Sequence, residues 1–334
     1  MSLTPRQDVA DAAPRNVTDW LLRWESILVV LLFMVIIGNT AISPYFLDIY
    51  NLSDATYNFS EKATVALAMA LLILVRDIDL SVAAIIALAS LAIGLAAQAG
   101  AGLPVLLLIG PLVGAACGAF NGFLVTRIAL PSIVVTIGTM SLFRGLAQVV
   151  LGDQAITRYP GNFTAIGQSY LIKWPPLPYS FVIFLGFAVI FAMVLHGTAL
   201  GRKLYAIGNN PVAARFSGIP VDRIRFVLFV LTGTLAGLAA MLLTARIGST
   251  RPNIALGWEL EIITAVILGG VSIAGGSGTI PGVVLAVFII GLATFGLSLV
   301  NVPGIVISVL LGLLLIFSIA MPIIVRRLLK SRVT

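Results

Sequence analysis

The sequence predicts an all-α integral membrane protein of about ten transmembrane helices, two of them short and interrupted. Three observations carry this. Hydrophobic residues make up 60% of the 334 residues and charged residues only 10%, whereas a soluble domain carries about 25% charge. Mean hydropathy is +1.11. Long apolar runs recur along the chain, most of them sized for a hydrocarbon core of about 30 Å.

In chain order, spans are expected at residues 24–42, 63–75, 82–98, 104–126, 132–150, 179–196, 226–245, 260–273, 280–300 and 303–325. The first follows Arg6, Arg15 and Arg23. No small-residue cleavage motif comes closely after it, so it reads as a retained span and not a signal peptide. The second span is short, about 20 Å of helix, and runs into RDIDLS (76–81). The fourth carries Gly110, Gly114, Gly118 and Gly122, a spacing that lets helix backbones approach within a bundle or between subunits. It also holds the single cysteine, Cys117, which excludes an internal disulfide and reads as packing. The fifth has Arg144 in mid-span, and the sixth closes on the single histidine, His196, read as an interface residue.

The eighth span is also short and ends in GGVSIAGGSG (269–278). Irregular backbone at membrane depth survives only where protein shields it or where it lines a cavity. A pair of short, interrupted spans in corresponding positions points to a transport pathway. Glu61-x-x-Thr64 and Glu261-x-x-Thr264 align at an offset of 200, a weak sign of an internal repeat.

Ten spans place both termini on one side. Of the twenty Lys and Arg residues, fourteen fall in the loops and tails of the N-terminal side, five in the opposite segments, and Arg144 within a span. That bias puts both termini in the cytoplasm. The net charge of +7 therefore reads as basic cytoplasmic loops, with no nucleic-acid partner implied. Trp20, Trp24, Trp174 and Trp258 fall near span ends, where an amphipathic ring suits the lipid interface. The chain divides into a cytoplasmic tail (1–23), a transmembrane domain (24–325) with a cytoplasmic loop (197–225), and a basic tail (326–334).

No catalytic set is legible. Gly197 to Lys203 lacks the spacing of a phosphate-binding loop. With one histidine there is no nucleophile and base pair, and no cluster of metal ligands. No enzyme, cofactor or metal is expected. If ATP energises transport, the ATPase is another polypeptide.

The loop contains a polar segment, GNNPVAARFSGIPVDRIR (208–225). Asn210 is an N-cap and Pro211 suits the first helical position. Val212, Ala213, Ala214, Arg215, Phe216 and Ser217 make roughly two turns. Gly218 stops them and Pro220 blocks continuation. Val212 and Phe216 share one face. Such a helix either lies on the lipid interface or docks into a groove of a soluble partner.

Four segments together resemble the permease subunit of ribose-type ABC importers, which serve ribose, rhamnose, other monosaccharides and autoinducer-2. They are IDLSV (78–82), FNGFLVTRIALPSIVVTIGTMSLFRGLA (120–147), GRKLYAIGNNPVAARFSGIPVDRIR (201–225) and LGGVSIAGGSGTIPG (268–282). The resemblance implies a bacterial inner-membrane permease, paired with a second permease subunit, a cytoplasmic ATPase and a periplasmic sugar-binding protein. It implies that residues 210–218 form the coupling helix that inserts into the ATPase. Ala213-Ala214-x-x-x-Gly218 matches part of the general permease signature, although Val212 replaces its leading Glu. Where many ribose permeases have two glycines, this chain has Arg76 and Asp77, which either pair with each other or alter the pathway.

Candidate pathway residues are Asp79, Ser81, Thr136, Thr139 and Arg144. An ionisable group at membrane depth faces a cavity or a partner. Asp79 or Ser81 equally suits the N-cap of the third span. Arg144 needs a carboxylate, a carbonyl, water or the sugar. The threonines can instead bond carbonyls of their own helix. The other class of reading is a secondary transporter driven by an ion gradient, with Asp79 or Arg144 in coupling.

Overall fold

A computed structural model describes residues 24–330. The expected tail at 1–23, and the end of the basic tail at 331–334, lie outside the described residues. Thirteen helices follow in order: α1 (Trp24–Ile42), α2 (Ile49–Leu74), α3 (Val82–Gln98), α4 (Leu103–Thr126), α5 (Ser132–Leu151) and α6 (Gly161–Gln168). A two-stranded antiparallel hairpin, β1 (Tyr170–Lys173) and β2 (Pro176–Pro178), comes next. Then come α7 (Tyr179–Gly197), α8 (Ala199–Asn209), α9 (Pro211–Phe216), α10 (Val221–Ile247), α11 (Trp258–Leu268), α12 (Ile280–Leu299) and α13 (Gly304–Lys330). Each of the ten expected spans corresponds to one helix. Seven described helices are long and apolar enough to cross a membrane.

The second span is corrected. It does not start at residue 63; α2 begins at Ile49, where Asp48 accepts hydrogen bonds from Tyr50 N and Asn51 N (2.9 and 3.3 Å). Its 26 residues make a helix of about 39 Å, so α2 is not a short span. Hydropathy misplaces its start because the stretch up to mid-helix carries Asn58, Glu61 and Lys62. Glu61 is fully buried and Lys62 half-buried within the protein. The most apolar window of α2 is 83% buried against 11% for α1, so α2 is the core helix and α1 lies at the periphery. Helices α7, α10, α11 and α12 pack around α2.

By contrast α11 is short as expected, with 11 residues. After Gly269 and Gly270 (φ +88°) the chain folds back through 271–279 to α12. This loop is pinned from two sides: Gly276 N donates to Leu74 O (3.0 Å) and Trp24 Nε1 donates to Leu268 O (2.8 Å).

The glycine stripe of α4 meets α10 within the same chain. A Cβ on Gly110 would lie 2.7 Å from Gly237 O, and one on Gly114 would lie 2.8 Å from Gly237 N. A Cβ on Gly233 would in turn lie 2.9 Å from Gly118 Cα. The two backbones touch, so the stripe serves an internal helix pair and is not left for a subunit interface. Gly114→Leu is expected to destabilise by about 1–3 kcal/mol or more through overpacking, read as a lowered melting temperature of the purified protein. An unchanged melt would overturn this packing assignment.

Between the fifth and sixth expected spans the chain folds into α6 and the hairpin. Phe163 of α6 is fully buried, and Ile156 bridges to Thr250. Gly167 of α6 rests on the backbone of Ala245 and Arg246.

Candidate functional site: a coupling surface and a buried polar knot

Helix α8 is started by Thr198, whose hydroxyl accepts from Leu200 N (3.2 Å). Leu204 and Ile207 are buried, and Tyr205 OH donates to Gly278 O (2.7 Å). These contacts lay α8 against the glycine-rich loop. The direction of the chain then changes at Asn210. Its side chain accepts from Val212 N and Ala213 N, both at 3.0 Å, and Pro211 takes the first helical position. Such a cap is worth about 1 kcal/mol, a large share of what a helix this short needs. At the other end Gly218 adopts φ +80°, and Ile219 N reaches back to Ala214 O (3.1 Å). The residues read as start and stop signals perform those roles.

Helix α9 buries Ala214 and presents the opposite face. Phe216 is 90% exposed and Val212 60%, so the expected apolar pair lies on the surface. Arg215 pairs with Asp222 at 2.7 Å, an exposed pair that orients the turn and contributes little energy.

The residues before α3 form a buried polar knot, in which Asn121 Oδ1 alone finds no partner among Asp79, Ser81 and Asn121. Asp79 Oδ1 accepts from Ser81 N (2.8 Å) and Ser81 Oγ (2.6 Å). Asn121 of α4 donates to Ser81 Oγ (2.8 Å) and more distantly to Asp79 Oδ2 (3.4 Å). All three are fully buried. Thr136 joins from α5, donating to Ser132 O (2.9 Å) with Ile78 O nearby (3.3 Å). Thr139 lies one turn on, with Thr136 O as its acceptor (3.4 Å). The structure therefore brings Asp79, Ser81 and Thr136 together. It holds Arg144 apart, where Nη1 donates to Pro252 O (2.9 Å) and Ile254 O (2.7 Å). Carbonyl acceptors, among the partners expected for Arg144, are the ones it finds. Asn121 escaped the sequence reading, though an Asn among glycines and apolar residues must find a hydrogen bond when buried.

Arg76 and Asp77 do not pair with each other. Arg76 donates to Gly208 O (2.6 Å) and Asn209 O (2.8 Å). Asp77 receives a two-pronged contact from Arg225 (2.6 and 2.7 Å). Midway along α2, Glu61 accepts from Arg246 Nε (2.8 Å), and Lys62 pairs with Glu261 of α11. These long-range pairs carry no sequence spacing, and so the sequence alone does not reveal them.

A family model described as the permease component of the branched-chain amino acid transport system matches residues 51–319. The chain belongs to this permease family. The match runs from α2 into α13 and takes in the knot, α8 and α9. The permease is 36% identical over 299 residues to the "Autoinducer 2 import system permease protein LsrD" of Escherichia coli O9:H4 (strain HS), covering 88% of this chain and 90% of the relative. The protein of the same name from Shigella flexneri gives the same figures. That of Salmonella paratyphi A (strain ATCC 9150 / SARB42) is 35% identical over 296 residues, covering 88% and 89%. No solved structure matches. This is a permease of the ABC sugar-importer type and a multi-pass membrane protein.

Proposed function

We propose that this permease imports a small neutral sugar-like solute, of which autoinducer-2, rhamnose and ribose are the first to test, driven by a separate ATPase that docks on α9. The single observation carrying the reading is α9 itself: a helix fixed at both ends, on a basic loop, with a bare aromatic at its tip. Water does not favour that arrangement, and a partner groove does. A second permease subunit completes the transmembrane unit, and a periplasmic binding protein delivers the solute. The excess of positive charge on the α8–α9 side supports a cytoplasmic position for it and for both termini. The name of the relatives favours autoinducer-2 among the candidate solutes.

A gradient-driven transporter needs an ionisable group free to load and release an ion. The buried carboxylates here are engaged: Glu61 with Arg246, Asp77 with Arg225, and Asp79 with Ser81 and Asn121. The deciding experiment reconstitutes the permease with its ATPase and binding protein in vesicles and follows labelled autoinducer-2, rhamnose and ribose. ATP-dependent uptake that ignores an uncoupler is expected. Uptake that collapses with the uncoupler and ignores ATP would overturn the reading.

A further inference from the structure

We infer that Arg76 and Asp77 form a two-armed clamp that carries displacement of α9 to the break between α2 and α3. They are positioning residues for transport, and the inference rests on the proposed docking of an ATPase at α9. The geometry is specific. The two residues are adjacent in the chain, yet one grips the chain before α9 and the other grips it after α9. Arg76 holds the last two carbonyls before the Asn210 cap, those of Gly208 and Asn209. Asp77 holds Arg225, in the first turns of α10 just after α9. Displacement of α9 therefore pulls on both arms at once.

Both arms are built for transmission. The Asp77–Arg225 contact is a fork of two charge-assisted bonds, the strongest and most directional kind available to side chains. The Asp77 side chain is 2% exposed, so water does not compete for it. The acceptors of Arg76 are carbonyls at the end of α8, where helix carbonyls lack internal partners and favour a cation. Arg76 sits at φ +72°, a left-handed conformation that costs a non-glycine residue about 1–2 kcal/mol. A glycine would meet the backbone requirement freely, so what the arginine adds is its guanidinium.

The load ends at the polar knot. Two residues past Asp77, Asp79 holds Ser81, and Ser81 holds Asn121 of α4. A shift at α9 thus reaches α10 through the Asp77–Arg225 fork, and the start of α3 and α4 through the 77–81 backbone and the hydrogen bonds of the knot.

The test uses the complete complex of permeases and ATPase in nanodiscs, trapped with ATP and orthovanadate, with hydrogen exchange as the readout. In the wild type, trapping is expected to change exchange at both 199–218 and 75–82. Arg76→Gly removes the guanidinium and relieves the backbone. The double variant Asp77→Asn with Arg225→Gln removes the fork without leaving a buried charge alone. In each, the change at 199–218 is expected to persist while that at 75–82 falls by about tenfold, within the range of typical coupling, with the melting temperature preserved. A purely stabilising pair would instead show wild-type behaviour in the double variant, and that result overturns the clamp. So does a wild-type complex in which 199–218 responds and 75–82 does not. If 199–218 itself fails to respond, the docking reading falls first. Should the double variant fail to fold, Arg76→Gly decides alone.

Discussion

Phe216→Asp is expected to abolish ATP-driven uptake while leaving the permease folded. In the isolated chain the ring is 90% exposed, so its loss removes almost no internal packing. Substitutions at such sites stay within about 0.5 kcal/mol. On the proposed docking the ring would fill a pocket of the ATPase as a central aromatic anchor. Truncating anchors of that kind costs 2 kcal/mol or more, about thirtyfold in affinity at 1.4 kcal/mol per factor of ten. A carboxylate forced into an apolar groove adds desolvation to that loss. Phe216→Leu keeps the apolar contact and should retain most activity. Three measurements settle the matter: uptake, co-purification of the ATPase, and the melting temperature. Normal uptake by a well-expressed Phe216→Asp variant would sink the docking role of α9.

The second large effect lies midway along α2. Arg246→Ala strips the cation from Glu61, whose side chain is fully buried. Breaking a buried pair by removing one partner costs about 3–5 kcal/mol, because a charge is left uncompensated. One oxygen of Glu61, Oε2, has no hydrogen-bond partner already, which leaves the carboxylate little to fall back on. Replacing both residues together, Glu61→Met with Arg246→Met, should recover most of the loss, since an apolar pair of similar volume is often neutral. Equilibrium unfolding of the purified protein measures both. A cost for the single variant no larger than the ~1 kcal/mol of a surface pair would show that the site is effectively solvated.

What the sequence made legible was local. Asn210, Pro211 and Gly218 set the limits of α9 because capping acts between residues two to four apart, and that distance is visible in one dimension. The same holds for α11, whose short apolar stretch ends in glycines. Partners across the bundle were not legible. Asp77 finds Arg225 and Glu61 finds Arg246 across |i−j| of 148 and 185, and no periodicity encodes such distances. This blindness also produced the error at α2. A segment containing Glu61 and Lys62 looks too polar to cross a membrane until Arg246 and Glu261 are known to meet it. The glycines of α4 showed the intermediate case: their spacing announced a close contact without saying that the partner was α10 of the same chain.

The α4–α10 pair also bears on how the chain is made. Gly114 emerges from the ribosome well over a hundred residues before Gly233, with α5 and α7 inserted between them. The delay is longer for α1. Its Trp24 bonds Leu268 O and its Asn39 bonds Leu292 O, 244 and 253 residues downstream. Contacts of such separation form only after the intervening chain is present. Helix α1 therefore completes its packing late: it can meet Phe46 and Ala55 early, but its contacts with α11 and α12 form only once those helices have been made. Its almost wholly apolar surface suits that delay, and a truncated nascent chain leaves the membrane holding helices whose seats have not yet been made.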